Sequence, residues 1–252
     1  LTVLSAPDGT RVAEVRRDET ADVRWAAVTL LAPVAVAAPV LLARLAGHRV
    51  VTVDEALVEA LVAAGGQVRR RAHDYELDLT AVPPSFAQSP VPQGFRLSRD
   101  LDPVGLAEAH DLANPPGHPD HEAGLDHVED LRSMIAGRIL GPLVPEASWQ
   151  VNDAAGPCGA ILVVDRPPSL SGARRAWVVD VFVHPRHQGR GLGGALLRRG
   201  AAGAAAAGHA LLGLAVSDGN PARAAYERIG FRHRMSGANV DLPPGSGGQP
   251  EL

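Results

Sequence analysis

The chain has 252 residues, 46% of them hydrophobic and 4% aromatic, with a formal net charge of -4. That length is long for one compact domain and comfortable for two small ones. The charge content is not that of a disordered chain, and the mild negative balance gives no support to nucleic-acid binding. Every basic residue is arginine, so no lysine is present to form a Schiff base. Cys158 is the single cysteine, which excludes an intrachain disulfide. It sits in an apolar run, Cys158 to Val164, and reads as a packed thiol with no activating partner nearby. A cytoplasmic protein is expected.

In chain order, Leu1 opens directly into a strand-like segment, so no signal peptide is expected. A turn at Asp8-Gly9 leads into a strand from Thr10 to Val15. Ala26 to Ala43 carries no charge, but Pro33 and Pro39 interrupt it and it lacks basic or aromatic flanks on both sides. It is expected as buried strand plus helix, with no membrane partner. Gly47-His48, an apolar strand (Arg49 to Val53), a helix (Glu55 to Ala64) and a strand (Val68 to Leu79) follow. Residues 82–93 are a proline-rich spacer. Two helices, Leu101 to Asn114 and Val128 to Ile139, come next. Strands at Cys158 to Val164 and Val178 to Val183 lead to a glycine-rich loop and a long Ala-rich helix. Gly208-His209, a strand (Leu211 to Val216), a helix (Pro221 to Ile229) and a strand (Phe231 to Leu242) complete the pattern.

The two halves match. Trp25 and Pro33 have the same spacing as Trp177 and Pro185, and the elements around them follow one order. This predicts a duplicated α/β unit. The expected division is a degenerate N-terminal domain over 1–81, a linker over 82–93, a second domain over 94–243 and a loose tail over 244–252. The N-terminal copy is truncated, because it starts without the two helices.

The loop of the second copy, His184 to Gly193, is the most informative stretch. Strand, glycine-rich loop and helix in that order suit a phosphate, because glycines admit close backbone approach and N–H groups gather at the helix N-terminus. As a P-loop it fails, since no Gly-Lys-Ser/Thr follows. Gly189-x-Gly191-x-x-Gly194 fits a Rossmann fingerprint, with Asp218 as a ribose-binding acid. Against that reading, the connection from His184 to Gln188 is long, and too little chain follows Asp218. The first copy runs from Pro33 to Leu41 through Val, Ala, Pro and Leu alone, and so cannot cradle a diphosphate.

Gln188-Gly189-Arg190-Gly191-Leu192-Gly193 resembles the pyrophosphate loop of the GNAT acetyltransferase superfamily. Val181-x-Val183-x-Pro185 before it is similar too, as are Asn220-Pro221-Ala222 and Tyr226 to Phe231 after it. The resemblance covers about residues 94–242 well and 1–80 only as a degenerate copy. It implies an α/β fold, a mixed sheet flanked by helices, with the first copy a truncated version of the same unit. It implies an N-acetyltransferase that uses acetyl-CoA as co-substrate and a primary amine, small molecule or peptide, as acceptor. A non-catalytic acyl-CoA-binding module is the alternative, and a homodimer is left open.

Site roles follow from the same resemblance. Backbone N–H groups from Gln188 to Gly193 (Gln188, Gly189, Arg190, Gly191, Leu192, Gly193) would hold the diphosphate. Val181, Phe182 and Val183 lie on a bulged strand expected to splay from Leu211 to Val216, leaving N–H groups of Val181 and Val183 for the pantetheine arm. Asn220 would contact that arm. Tyr226 occupies the general-acid position. Asp180, the sole acid in its strand, is the base or an anchor for a cationic acceptor. His184 and His187 are expected in solvent. His110, His118, His121 and His127, with Asp120 and Glu122, lack compact metal-ligand spacing, so no metal is expected and the segment is left to shape the acceptor wall.

Overall fold

In a computed structural model, the described residues are 1–19, 24–121, 124–166 and 174–244. They form a mixed α/β fold with two compact units. One comprises Leu1–His73 and the described chain from Met235 to residue 244; the other is Asp74–Arg234.

The first unit opens with an antiparallel hairpin, β1 (Thr2–Ser5) and β2 (Arg11–Glu19). Its turn is set by Gly9 at φ +87° and by Asp8, whose carboxylate accepts the Thr10 N–H at 2.9 Å. Strand β3 (Arg24–Leu30) pairs antiparallel with β2, and parallel with β4 (Arg49–Thr52). Helix α1 (Val34–Arg44) connects β3 to β4 and buries Ala37, Ala38 and Leu41. The uncharged run 26–43 is therefore strand plus helix. Among the described residues no helix is long and apolar enough to cross a membrane. Helix α2 (Glu55–Ala63) starts on Asp54, which accepts the Leu57 N–H at 2.9 Å. Strand β5 (Gln67–Asp78) follows.

The second unit holds β6 (Arg96–Ser98), α3 (Pro103–Ala113), α4 (His127–Ile135), β7 (Trp149–Asn152), β8 (Pro157–Arg166) and β9 (Arg175–Val183). Then come α5 (Leu192–Ala206), β10 (Leu211–Ser217), α6 (Arg223–Ile229) and β11 (Arg232–Asp241). Its strand order is β10-β9-β8-β7-β6. Asp102 and Asp126 cap α3 and α4 by accepting two backbone N–H groups each. The stretch 82–93, expected as a spacer, falls within this unit. Phe86 and Val91 pack on the core, and Arg199 donates to the Ser89 carbonyl at 3.0 Å. The tail expected over 244–252 lies, from 245 on, outside the described residues.

The closing strand of each repeat does not stay with its own copy. Ala238 to Asp241 of β11 pair antiparallel with Thr52 to Arg49 of β4, and Arg49 donates to Asp241 at 2.6 Å. Ala238, Val240 and Leu242 share a core with Val50, Leu57 and Leu61. Conversely Tyr75, Leu77 and Leu79, from the end of the first repeat, share a core with Leu212, Leu214 and Phe231. The Leu79 N–H donates to the Ala210 carbonyl at 2.9 Å. The boundaries between units thus fall inside β5 and β11, not in the proline-rich stretch.

This exchange generates a test. Tyr75 is fully buried, and its hydroxyl donates to Glu227 at 3.0 Å. Tyr75→Ala should destabilise the second unit by about 3–5 kcal/mol, the range for emptying a large aromatic site. Urea unfolding followed by Trp149 and Trp177 fluorescence would measure it. For the same reason a fragment starting near Gly94 should aggregate on expression.

Candidate functional site

The site is built where β9 parts from its neighbour. Strands β9 and β10 pair in parallel at three rungs, from Arg175↔Leu211 to Trp177↔Gly213, and no further. At the last rung the Trp177 ring lies where a Gly213 Cβ would stand, so only glycine fits under it. On its other side β9 stays paired with β8 up to Val183↔Gly159, but the register jumps: Val163 faces Val178 and Leu162 faces Asp180. Val179 is the extra residue. Such a bulge bends its strand and increases the local twist, which turns β9 away from β10. Val181, Phe182 and Val183 thus lie on a stretch of β9 beyond the β10 pairing. The Phe182 side chain is buried against Leu106, Leu131 and Leu162, so only its backbone is left to face a ligand.

The loop after β9 ends in a left-handed turn. Gly189 and Gly191 have φ of +75° and +87°, a region that costs other residues strain. Gly191 is the N-cap of α5, and no side chain caps the helix. A Cβ at Gly189, Gly191 or Gly193 would meet nothing within 4 Å, so these glycines serve conformation and leave the approach to the helix N-terminus open. Arg190 is exposed, whereas the Leu192 side chain is buried in the core. The Gln188 amide donates to the Val183 carbonyl at 3.0 Å, tying the loop to the strand end.

Asp180 is not alone in its strand. Its Oδ2 lies 2.7 Å from His110 Nε2, on α3. His110 Nδ1 lies 3.0 Å from His127 Nδ1, and His127 Nε2 lies 3.0 Å from Asp111 Oδ1. Burial disfavours charge on His110, but the hydrogen bond and charge of Asp180, helped by Asp130 and Asp111, outweigh it and raise its pKa above the usual histidine value. Sequence reasoning grouped these histidines as a loop cluster and did not pair His110 with Asp180. The signal was available, since His110 falls on an α3 face with the buried Leu106 and Ala109.

Tyr226, on α6, is buried and packs edge-on to Phe231. Burial, then the charges of Asp180 and Asp120, push its hydroxyl well above the usual phenol value. It therefore stays protonated at any working pH. Asn220 is already committed: its amide donates to Asp120 Oδ2 at 2.6 Å, and its carbonyl accepts the Ala222 N–H at 2.8 Å. Asp120 also accepts from the Ser217 hydroxyl. Asn220 thus anchors the segment around Asp120 and starts the turn into α6. His121 contacts the Asn114 carbonyl at 2.8 Å, and His118 accepts the Asp120 N–H at 3.2 Å. Glu122 lies outside the described residues.

Residues 102–231, just over half of the chain, match the profile of the Acetyltransferase (GNAT) family. The chain belongs to the GNAT acetyltransferase family. Solved GNAT structures share its fold. A GCN5-related N-acetyltransferase from Sphaerobacter thermophilus aligns at TM-score 0.63 and 18% identity, over 96% of this chain and 81% of that one. A tandem GNAT protein from the clavulanic acid biosynthesis pathway aligns at 0.56 and 18%, over 94% and 80%. One from Kribbella flavida aligns at 0.52 and 16%, over 88% and 82%. No curated protein matches the sequence.

Against this candidate site, the first unit is a plain version. Its β3 and β4 also pair at three parallel rungs, from Trp25↔Arg49 to Ala27↔Val51. Its β2–β3 register, however, runs unbroken from Ala13↔Leu30 to Glu19↔Arg24, with no bulge. Leu31, Ala32 and Pro33 lead straight into α1 without a glycine turn.

A second cluster in the GNAT unit corrects two sequence expectations. His187 is not in solvent: it lies 2.8 Å from Asp153 and edge-on to Phe95. Cys158 does have polar neighbours, since its sulfur and ligand atoms of Asp153 and His187 lie within 4.8 Å of one another. Two features act against a cation there. Arg186 already places a guanidinium 3.2 Å from Asp153, and burial, with the Asp153 charge, pushes the Cys158 thiol up to about 11. A buried, protonated thiol should be inert. Ellman's reagent at pH 8 should label Cys158 only once the chain is unfolded; rapid labelling of the native protein would contradict this.

Proposed function

We propose that this GNAT protein moves an acetyl group from acetyl-CoA to a primary amine by direct attack, using one site in the second unit. The departure of β9 from β10 beside an open glycine loop is the observation that carries this reading. Backbone groups of Val181, Phe182 and Val183 would take the pantetheine arm as an added strand and polarise the thioester carbonyl. N–H groups from Gln188 to Gly193, at the start of α5, would hold the diphosphate. The Gln188 side chain ties the loop to the strand end, and Asn220 would contact the pantetheine arm while donating to Asp120.

An ammonium has no electron pair with which to attack. Asp180 takes the proton: the N–H bond breaks, an O–H bond forms, and the pair stays on nitrogen. Attack on the thioester carbon gives a tetrahedral adduct, whose collapse breaks the carbon–sulfur bond. Tyr226, held protonated by its surroundings, gives its proton to the leaving thiolate. The adduct's nitrogen loses its second N–H proton to solvent and the proton held by Asp180 restores Tyr226, so the products are an amide, a thiol and one proton. The first unit has no register break between β2 and β3 and no glycine in its turn into α1, and acts as a scaffold. A cytoplasmic location suits the single unpaired thiol.

An amine-panel assay for released CoA thiol tests the reaction class. Tyr226→Phe should lower turnover by ~10²–10⁴-fold, the usual general-acid contribution, with little change in acetyl-CoA affinity; full turnover would remove Tyr226 from the chemistry. Gly191→Val forces a β-branched residue into a left-handed conformation and should weaken CoA binding by at least roughly tenfold, or about 1.4 kcal/mol. Calorimetry on the intact protein should count one CoA site per chain, and unchanged affinity in folded Gly191→Val would move the diphosphate elsewhere.

A further inference from the structure

Behind Asp180 stands a row of groups for which acetyl transfer itself supplies no role. His110 Nε2 is 2.7 Å from Asp180, its Nδ1 is 3.0 Å from His127 Nδ1, and His127 Nε2 is 3.0 Å from Asp111. Two ring nitrogens at that separation need one donor and one acceptor, so one proton lies between them. If both outer nitrogens also donate to their carboxylates, the two rings hold three protons and one positive charge. When the charge is lost, one outer contact gives up its proton. Asp111 is 58% exposed and Asp180 18%, so water reaches the Asp111 end more readily. The proton leaves from His127 Nε2, the shared proton settles on His127 Nδ1, and His110 stays neutral with its Nε2 proton still on Asp180.

We propose that His110 and His127 are positioning residues that share one positive charge behind Asp180, and that losing it opens Asp180 to the nitrogen of the acceptor. The inference rests on the reading of Asp180 as the group that receives the acceptor. A charged His110 competes with the acceptor's ammonium for the same carboxylate. A neutral His110 still fixes the carboxylate by a hydrogen bond but leaves the ammonium unopposed. The groups around His110 hold its proton above the ordinary histidine range. Asp180 of β9, His127 and Asp130 of α4, and Asp111 of α3 all face His110, with the Phe182 ring at 4.9 Å; Tyr226 of α6 faces Asp180.

The sign follows. A raised pKa means that the proton is held at low pH and lost as pH climbs through the raised value, so activity should rise there. The test is kcat/KM for the amine against pH, with one acceptor throughout so that its own ionisation cancels, for the wild type, Asp111→Asn and Asp130→Asn. Each variant removes a carboxylate that helps hold the proton, so each should move the acid limb to lower pH, by up to about half a unit for these partly exposed groups. NMR titration of the ring protons should show His110 and His127 sharing one midpoint that moves with the limb. Independent ring titrations, or a limb that stays in place in both variants while the ring midpoint moves, would overturn the proposal. Release of CoA thiol with an unmoved limb sinks this inference alone; no release with any amine sinks the acetyl-transfer reading and this one with it.

Discussion

After Trp177, strand β9 no longer pairs with β10, and the extra residue at Val179 turns it away. Much in the second unit depends on that one departure. A continuous parallel sheet would satisfy each backbone group and leave no edge to bind an extended ligand arm. The bulge frees an edge inside the sheet without exposing it at the rim, where it would invite aggregation. It also resets the side-chain alternation. With Val179 inserted, Asp180 stands opposite Leu162 and within reach of α3, where His110 meets it. The same residue that opens the gap therefore helps to orient the acid beside it.

The first unit works as a natural control. It keeps the hairpin, the parallel rungs at a tryptophan and the strand–helix order, yet its β2–β3 register is unbroken and its turn into α1 has no glycine. Trp25 is covered by the Arg49 guanidinium at 5.1 Å, where the second unit lays Trp177 over Gly213. Arg49 in turn holds Asp241 of β11. In the copy without the loop, this rung has become part of the support for a closing strand. That strand comes from the other repeat, as β5 ends in the core of the second unit. Such an exchange makes each core depend on both repeats, which gives a reason for the degenerate copy to be retained.

Local chemistry was legible in the sequence. The Asp8-Gly9 turn, the Asp54, Asp102 and Asp126 caps and the Gly189–Gly191 turn are each decided by a few adjacent residues, and the repeated order of strands and helices is written in hydrophobic periodicity. Long-range partners were not. Nothing near Val240 says that it packs with Val50, because β11 would suit either core by pattern alone. His110 and Asp180 are separated by α4 and two strands, and only the packing of α3 on β9 brings them together. Asn220 carries a family motif, but nothing near it announces Asp120, far back in the chain, as a partner of its amide. His187 looked like a loop residue facing water until β7 and its turn placed Asp153 beside it.

The ionisable groups of the site also explain how it could reset. Asp180 and Asp120 both act on the buried Tyr226 hydroxyl, and burial adds to them, so a phenolate there is strongly disfavoured. On the proposed reading, that arrangement makes Tyr226 a reluctant acid in the resting protein, one that would transfer a proton only when a strong base forms close by. A thiolate expelled into the same low-dielectric gap is such a base. On the same reading, once the thiol has left, the forces that resisted ionisation would draw a proton back onto Tyr226, and a carboxyl group of Asp180 that had taken one from nitrogen would be a source within the same field. The two groups thus oppose each other's charged forms and favour states in which the proton count of the pair is conserved. On that account the pair keeps its proton, and the one proton the reaction would shed comes from the second N–H bond broken at the acceptor nitrogen.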